Sequence, residues 1–310
     1  MQTMRNRVVT LEQILEVVQD YVVTVHGPVE GVKIDNLADA SHTVPTTLDW
    51  VKSSKKNKQE IVENSPAKVI IVDKTVEYSQ QVAEQGKTLI VVSVNPRKII
   101  AMISGRYFQQ QNTPGIHPTA IVDPEAVIGN NVYIGPYSII GKAEIGDNTQ
   151  IESHVRIYDE VVMGHDCHIY DNVVLGAPGF GVEKDKDGNL FRFPQIGKLI
   201  MGDFVDVGTF SSIDRGALSD TMIGDYTKID SLCKIGHNNV IGKNVVITGC
   251  ASIAGSNVIE DNVWIGPNSS LIDWGHIGKN AFVGMGAVVS LKVKEGTRVT
   301  GNPAKRLKID

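Results

Sequence analysis

The chain has 310 residues, an apolar content of 42% and a formal net charge of −5, with an isoelectric point near 5.9. This length is enough for about two domains, each with its own hydrophobic core. Because basic and acidic residues nearly balance, the chain has no large basic field that would attract nucleic acid or an anionic membrane surface. We therefore expect neither of these partners.

The cysteines and the first residues of the chain indicate a cellular location. The three cysteines are widely spaced and odd in number, so we expect no disulfide framework, which suits a reducing compartment. The first 18 residues lack the apolar core of a signal peptide, and no run of 18 apolar residues occurs anywhere. We expect a cytoplasmic protein without a transmembrane segment.

Residues 1–112 combine helix and strand patterns and contain no longer repeat. The helix starts have residue types that cap helices, and the strand patterns are short and rich in β-branched residues. The predicted elements are a helix from Thr10 to Val18, helices at Lys55–Asn64 and Ser79–Gln85, strands at Lys68–Val72 and Thr88–Ser93, and a helix that begins at Asn95-Pro96. This pattern predicts a small α/β domain, and the polar segment Gln109–Pro114 is its expected exit linker.

In residues 113–290 an aliphatic residue recurs at every sixth position. The longest unbroken run has twelve such guide positions, from Ile223 to Val289, and we count 26 in all. A period of six fits neither an α-helix nor a simple strand, and it is typical of hexapeptide-repeat β-helices, in which three hexads form one coil. We predict a mainly β chain with a parallel β-helix of eight to nine coils and a short C-terminal tail, residues 291–310.

The period is interrupted at three places. One residue is missing between Ile140 and Ile145, a long insertion spans Gly176–Lys198, and four additional residues precede Ile223. A regular coil cannot hold an insertion in its core, so loop 176–198 must project from a corner, where binding sites are common. Two interpretations of its three phenylalanines stay open, namely contact with a neighbouring subunit and one wall of an apolar ligand channel.

The hexad Ile235-Gly-His-Asn-Asn-Val240 is chemically unusual because it contains a histidine. Since Ile235 points inward, His237 is expected on the outer surface. A single histidine is most often a solvated surface residue, but one held on a rigid scaffold is also a suitable general base for an amine or hydroxyl nucleophile. No Ser-His-Asp or Cys-His spacing accompanies it, so we expect neither Cys233 nor Cys250 to act as a nucleophile.

The segment Gly164-His-Asp-Cys-His168 has a spacing compatible with zinc binding. A third ligand is not evident from the sequence, so we favour solvated corner residues and expect no metal site. A glycine-rich phosphate loop after a strand is also missing from the first domain, which argues against nucleotidyl transfer.

Five motifs are more specific than the repeat itself. They are PGFG (178–181), PQIGK (194–198), SSIDRGAL (211–218), KIDSLCKIGHNNVIG (228–242) and IAGS (253–256). With them the chain resembles the UDP-3-O-acylglucosamine N-acyltransferase family of lipid A biosynthesis over nearly its whole length. The resemblance implies that the β-helix is left-handed, that the protein is a homotrimer, and that active sites lie between adjacent subunits.

The resemblance also implies roles for individual residues. The catalytic histidine of the family matches His237, which would accept a proton while a sugar amine attacks an acyl thioester. The backbone oxyanion donor of the family matches Gly255, and such an N–H can contribute strongly to catalysis. The loop phenylalanine matches Phe180, which would help bind the acyl chain, and Asp230 is a weaker candidate to orient groups near His237.

The chain departs from the family pattern at three places. In the segment that stacks uracil, Leu48–Lys56, the only aromatic residue is Trp50, so Trp50 is the candidate base-stacking residue and uridine and thymidine both stay open. A second family histidine matches Trp274, and His276, two residues further on, is the candidate for its role. The GNPAKRLK tail is similar to that of coenzyme A-dependent sugar acetyltransferases, so acyl-CoA and acyl carrier protein both stay open as donors.

The sequence therefore predicts an N-acyltransferase without a tightly bound cofactor. It would move an acyl group from acyl-CoA or a hydroxyacyl-acyl carrier protein to the amine of a UDP- or dTDP-linked amino sugar. Two alternatives of other classes remain. One is a zinc β-helix lyase of the carbonic anhydrase type, with His165 as a ligand, and the other is a non-catalytic nucleotide-sugar-binding scaffold.

Overall fold

The structure is a computed structural model that describes residues 8–38, 40–109, 112–290 and 292–306. The chain divides into two compact units, residues 1–111 and residues 112–310, and each is described by itself. Two residues of the predicted linker 109–114, and positions 291 and 307–310 of the predicted tail, lie outside the described residues.

The N-terminal unit contains a four-stranded sheet in the order Val22–His26, Thr88–Val92, Val69–Asp73, Leu48–Trp50. The first pair is antiparallel and the other two pairs are parallel. A two-stranded antiparallel pair joins Val9–Thr10 to Lys33–Ile34. The helices are Leu11–Val18, Lys58–Asn64, Gln80–Glu84 and Pro96–Ile103, with a 3₁₀ turn at Gln19–Tyr21 and a π-helical turn at Ser104–Phe108.

The predicted helix starts at Thr10 and Asn95 are confirmed by their caps, whereas the helix predicted from Lys55 begins at Lys58. The Thr10 hydroxyl accepts the N–H of Gln13, and the Gln13 side chain accepts the N–H of Thr10, which is a capping box. The Asn95 side chain accepts the N–H of Arg97, and Pro96 stands in the first turn of its helix. The two predicted strands are the central strands of the sheet, and their residues are almost entirely buried.

The C-terminal unit is the predicted left-handed parallel β-helix, with three faces that each gain one short strand per coil. Face 1 consists of Gly115–Ile116, Tyr133–Ile134, Gln150–Ile151, His168–Ile169, Asp206–Val207, Lys228–Ile229, Val246–Ile247, Trp264–Ile265, Phe282–Val283, Arg298–Gly301 and the antiparallel Ala304–Arg306. Face 2 consists of Ile121–Val122, Ile139–Ile140, Arg156–Ile157, Val174–Ala177, Ser212–Asp214, Lys234–Ile235, Ser252–Ile253, Ser270–Leu271 and Val288–Val289. Face 3 consists of Val127–Ile128, Glu144–Ile145, Val161–Met163, Leu199–Met201, Thr221–Ile223, Val240–Ile241, Val258–Ile259 and His276–Ile277.

The guide residues form the core of the β-helix. Ile235 pairs with Ile213 on the preceding coil and with Ile253 on the following coil, so the aliphatic side chains stack in columns. Almost all are fully buried, and burying one such side chain is worth about 1.5–3 kcal/mol. Ile116 in the first coil is 52% exposed, because its face has a neighbouring coil on one side only.

The corners explain the residues between the guides. Among the described residues, 19 non-glycine residues have a positive φ, each placed three residues before a guide position. Eight of them are asparagine, the residue type after glycine that tolerates this left-handed conformation best. Bulky residues such as Trp274 and Phe210 adopt it too, because the coil geometry imposes it, and their side chains project outward.

All three interruptions of the period fall at the corner between face 2 and face 3, which we call the 2–3 corner. The missing residue lies between Ile140 on face 2 and Ile145 on face 3. Loop 176–198 leaves face 2 and returns to face 3, and it forms an antiparallel hairpin of Val182–Lys184 and Leu190–Arg192. The four additional residues belong to segment 215–220 of the same corner. One edge of the β-helix therefore departs from regularity.

Candidate active site

His237 lies at the 2–3 corner, between strands Lys234–Ile235 and Val240–Ile241. The N–H of Ser256 donates to the His237 carbonyl, and the N–H of Trp274 donates to the Gly255 carbonyl. His237, Gly255 and Trp274 therefore occupy three successive coils of the same corner. The structure thus brings together the predicted base, the predicted oxyanion donor and the residue that replaces a family histidine.

Asn238 determines which nitrogen of His237 carries the proton. The Asn238 Oδ1 atom accepts the N–H of Ala217 at 2.9 Å, and its Nδ2 atom donates to the Ser219 carbonyl at 3.2 Å. Because one contact is a backbone donor and the other a backbone acceptor, the orientation of this amide is fixed. His237 Nδ1 lies 2.8 Å from the same Oδ1 atom and must donate to it. The neutral ring therefore presents Nε2 as a proton acceptor.

Gly255 lies directly under the His237 ring. A Cβ atom at position 255 would stand 2.9 Å from both Nε2 and Cε1 of His237, so any other residue there would have to displace the imidazole ring. The Gly255 N–H is already engaged, since it donates to Oδ1 of Asp273 at 2.7 Å. The sequence did not single out Asp273, and nothing in the hexad pattern distinguishes it from other corner aspartates.

Loop 176–198 packs against His237 of its own chain. A Cβ atom at Gly179 would stand 2.9 Å from Cβ and Cδ2 of His237 and 2.9 Å from Oε1 of Gln195. The loop and the corner form an open pocket of about 320 Å³ beside His237, lined among others by Val182, Phe193, Leu218 and Trp274. The predicted role of this loop as one wall of an apolar site matches this arrangement.

The SSIDRGAL segment connects the loop to His237. The Arg215 guanidinium donates to the carbonyls of Gly176, at 2.8 Å, and Asp159, and the N–H of Ile196 donates to the Ala217 carbonyl at 2.7 Å. Because Ala217 also holds Asn238, the two ends of the loop and the imidazole are fixed by one short segment. Sequence reasoning had used this segment only as a family motif.

Asp214 of this segment forms an ion pair with Lys234. Asp214 is almost fully buried, and this burial raises the pKa of its carboxyl, while the Lys234 ammonium and His237 act in the opposite direction. Asp214 was not predicted as a site residue. The signal available in the sequence was its place in the SSIDRGAL motif.

The expected proximity of Asp230 to His237 has to be corrected for a single chain. Asp230 follows a face 1 strand and lies at the corner between faces 1 and 2, where its carboxylate accepts the N–H groups of Ser231 and Gly249. It lines a separate cavity of about 470 Å³ with Tyr170. Residues seven positions apart in this repeat lie on successive corners, which is why the two side chains separate.

His276 also lies away from His237. It stands on the face 3 strand His276–Ile277, and its Nε2 atom lies 2.8 Å from Oε1 of Glu260. Trp274, two residues earlier, occupies the corner and lines the cavity next to His237. The site histidine of the family pattern is therefore replaced by an indole here, and His276 does not take its position.

The other two predicted binding residues are in different surroundings. Phe180 is 72% exposed and its ring lies 5.2 Å from the Arg192 guanidinium, whereas the glycines on either side of it face the site. Trp50 ends the edge strand of the N-terminal sheet, packs partly against the core of that unit, and has the Lys52 ammonium 6.0 Å from its ring.

The candidate zinc residues do not converge. His165 contacts the carboxylates of Asp166 and Asp203, and His168 on face 1 contacts Glu152. Cys167 is buried, and this burial raises the pKa of its thiol to about 11. Within the described ranges, no group of three histidine, cysteine or acidic side chains is arranged to hold a metal ion.

The same ranges contain no helix that is long and apolar enough to cross a membrane.

Comparisons with known proteins show which families this chain resembles. The family model described as bacterial transferase hexapeptide (six repeats) matches residues 142–177. UDP-3-O-acylglucosamine N-acyltransferase 1 of Francisella tularensis subsp. holarctica (strain OSU18) is 38% identical over 248 residues, which cover 69% of this chain and 70% of the relative. UDP-3-O-acylglucosamine N-acyltransferase of Coxiella burnetii (strain Dugway 5J108-111) is 33% identical over 247 residues, covering 72% of this chain and 69% of the relative.

Solved structures of hexapeptide acyltransferases are also similar. The UDP-N-acetylglucosamine O-acyltransferase from Moraxella catarrhalis RH4 superposes with a TM-score of 0.58 at 28% identity, covering 62% of this chain and 73% of that one. The UDP-N-acetylglucosamine acyltransferase of Francisella novicida gives a TM-score of 0.58 at 26% identity, covering 63% and 71%. The sequence relatives share more than two thirds of their length with this chain, which therefore belongs to the UDP-3-O-acylglucosamine N-acyltransferase family and is an acyltransferase.

Proposed function

We propose that the chain transfers an acyl group from an acyl thioester to the amine of a UDP-linked amino sugar in lipid A synthesis. The observation that carries this proposal is the arrangement of His237 above Gly255, with Asn238 leaving Nε2 of the ring as a proton acceptor. The names of the sequence relatives support the nucleotide and the amine acceptor.

In the proposed reaction the neutral amine attacks the thioester carbonyl carbon. A carbon–nitrogen bond forms, His237 Nε2 takes one proton from the nitrogen, and the carbonyl oxygen gains negative charge. The Gly255 N–H is the donor for that oxygen, once Asp273 has released it. The carbon–sulfur bond then breaks, and the thiolate leaves with the proton held by His237.

The N-terminal unit is proposed to bind the nucleotide. Parallel strands of its sheet end at Trp50, Asp73 and Val92, and ligands of open α/β sheets commonly bind beyond such carboxyl ends. The Trp50 ring is partly exposed there and offers a surface on which a pyrimidine base can stack. Phe180 on loop 176–198 is proposed to contact the acyl chain.

A homotrimer is proposed as the working assembly. Phe210 and Leu232 lie on successive coils at the corner between faces 1 and 2, and they are 62% and 57% exposed. Such a patch on a rigid surface is typical of an interface. Light scattering on the purified full chain tests this, and a monomer at micromolar concentration contradicts it.

Thiol release tests the reaction. Purified protein is mixed with acyl-CoA or hydroxyacyl-acyl carrier protein and with UDP- and dTDP-linked amino sugars, and free thiol is followed against a control without sugar. We expect release with the UDP-linked amine, and loss of at least about a hundredfold in His237→Ala. His117→Ala is the matched control, because His117 is an exposed histidine of the first coils that contacts Thr119. If thiol release stays at the level of the control without sugar for both donors, the proposal is wrong.

A further inference from the structure

Asp273 lies next to the candidate base and accepts a hydrogen bond from the candidate oxyanion donor. Its Oδ1 atom accepts the Gly255 N–H at 2.7 Å. A Cβ atom at Gly255 would lie 2.9 Å from His237 Nε2 and 3.3 Å from the same Asp273 oxygen, so the imidazole nitrogen and the carboxylate flank one point. Asp273 is exposed, so solvent and ligands can reach it.

Other corner aspartates also accept a backbone N–H from the preceding coil, and comparison with them shows which features of Asp273 are unusual. The Asp261 carboxylate accepts the N–H of Lys243 at 2.9 Å, with the same spacing of 18 residues, and the Asp225 carboxylate accepts that of Asp203 at 3.1 Å. These two carboxylates also have lysine partners, at 4.0 Å for Lys279 and 2.7 Å for Lys243. Within the described part of the chain Asp273 makes no ion pair, and neither do Asp147 and Asp171, which accept the N–H groups of Asn130 and Ser153. What sets Asp273 apart is the His237 ring across from it.

We propose that Asp273 is the residue by which this site recognises its acceptor as an amine, an inference that rests on the proposed acyl transfer. Two groups face the reacting position, and both accept hydrogen bonds, namely Nε2 of His237 and the Asp273 carboxylate. An amine has two hydrogens and satisfies both acceptors. A hydroxyl has one hydrogen and leaves one acceptor to water, so the amine makes one hydrogen bond more than the hydroxyl, and that bond goes to a charged group.

The charges of the reaction point the same way. When the amine nitrogen bonds to the thioester carbon, it becomes positively charged, and the Asp273 carboxylate stabilises that charge. His237 Nε2 then removes one proton and later delivers it to the leaving thiolate. The other hydrogen stays on nitrogen as the amide N–H of the product and remains bonded to Asp273. In accepting this N–H, Asp273 releases the Gly255 N–H, which becomes free for the carbonyl oxygen.

Equilibrium binding tests the inference without requiring turnover. The full chain is titrated, without donor, with a UDP-linked sugar that carries an amine at the acceptor carbon and with its counterpart that carries a hydroxyl there. We expect the wild-type chain to bind the amine at least about tenfold more tightly, as for a hydrogen bond to a charged group. Asp273→Asn keeps one oxygen for the Gly255 N–H, but it replaces the second oxygen by an amide donor and loses the charge, so we expect it to bind both sugars about equally.

Asp261→Ala is the matched control, because it removes the same type of corner contact away from His237. It is expected to keep the wild-type preference for the amine. Equal affinity of the wild-type chain for the two sugars overturns the inference, and so does an unchanged preference in Asp273→Asn. Failure of the proposed function would be a separate result. It would appear as missing thiol release, whereas the binding comparison between the two sugars could still be measured.

Discussion

His237 Nδ1 lies 2.8 Å from Oδ1 of Asn238, the next residue in the chain, and that oxygen also holds the N–H of Ala217 from the preceding coil. The side chain of Asn238, a residue whose backbone has a left-handed φ of 58°, therefore joins the candidate base to segment 215–220. The contact fixes both the tautomer and the plane of the imidazole.

Asn238→Ala is expected to lower kcat by about tenfold while leaving KM for the nucleotide sugar nearly unchanged, because the ring loses the acceptor that holds its Nδ1 proton. Asn262→Ala is the control, since Asn262 has the same φ of 58° at another corner and the substitution adds the same backbone strain. Steady-state kinetics of both variants check this. Equal rates in the two variants would show that Asn238 serves the corner geometry alone.

Gly179→Ala is expected to reduce activity by at least about tenfold, since the added Cβ would stand 2.9 Å from His237 and from Gln195 Oε1 and has to displace the loop or the ring. Gly181→Ala in the same loop places its Cβ no closer than 3.2 Å to a neighbour, at Phe193. We expect this second variant to stay within about threefold of the wild-type rate. A Gly179 variant as active as the Gly181 variant contradicts the close packing of loop and base.

Lys234→Met is expected to destabilise the fold by about 2 kcal/mol at pH 7. This is less than the usual loss for a fully buried pair, because the Lys234 side chain is 48% exposed. Burial raises the pKa of Asp214, so the folded state holds this proton more tightly than the unfolded chain. The contribution of Asp214 to stability is then present at low pH and is lost as the pH rises through its folded pKa.

Removing Lys234 raises the pKa of Asp214 further. The destabilisation caused by Lys234→Met is therefore expected to shrink as the pH falls from 7 toward the ordinary range of carboxyl pKa values. Urea unfolding at several pH values measures this dependence. The double variant Asp214→Asn, Lys234→Met has no charge at either position and should show little of the pH dependence. A loss of stability that is equal at all pH values contradicts the assignment to Asp214.

UDP is expected to raise the melting temperature of the wild-type chain more than dTDP does, and Trp50→Ala is expected to lose most of that shift because the base loses its stacking surface. The readout is the shift caused by the nucleotide, and not the melting temperature itself. Trp264→Ala, which removes a tryptophan from face 1 of the β-helix, should retain the shift. An undiminished shift in Trp50→Ala places the nucleotide elsewhere.

Much of the architecture was predictable because it is local and repeated. An aliphatic residue at every sixth position defines the coil, and the asparagines three residues before the guides mark its left-handed corners. The helix starts at Thr10 and Asn95 were predictable for the same reason, since a cap involves residues only two or three positions apart. Family motifs then identified His237 and Gly255.

The residues that contact His237 and Gly255 could not be predicted from sequence patterns. Asn238 meets Ala217 across 21 residues, and Gly255 meets Asp273 across 18, and both contacts depend on which coil lies above which. Asp230 was expected near His237 and lies at a different corner in a single chain, because one hexad changes the corner. His276, the candidate for the role of the second family histidine, lies on face 3, because two residues separate it from the corner position of Trp274. The sequence alone thus determined the β-helix and its corners, since these follow from a short period, and its family motifs identified the candidate base. Only the tertiary structure decided that loop 176–198, segment 215–220 and Asp273 gather around that base, because the stacking of coils joins residues that are far apart in the chain.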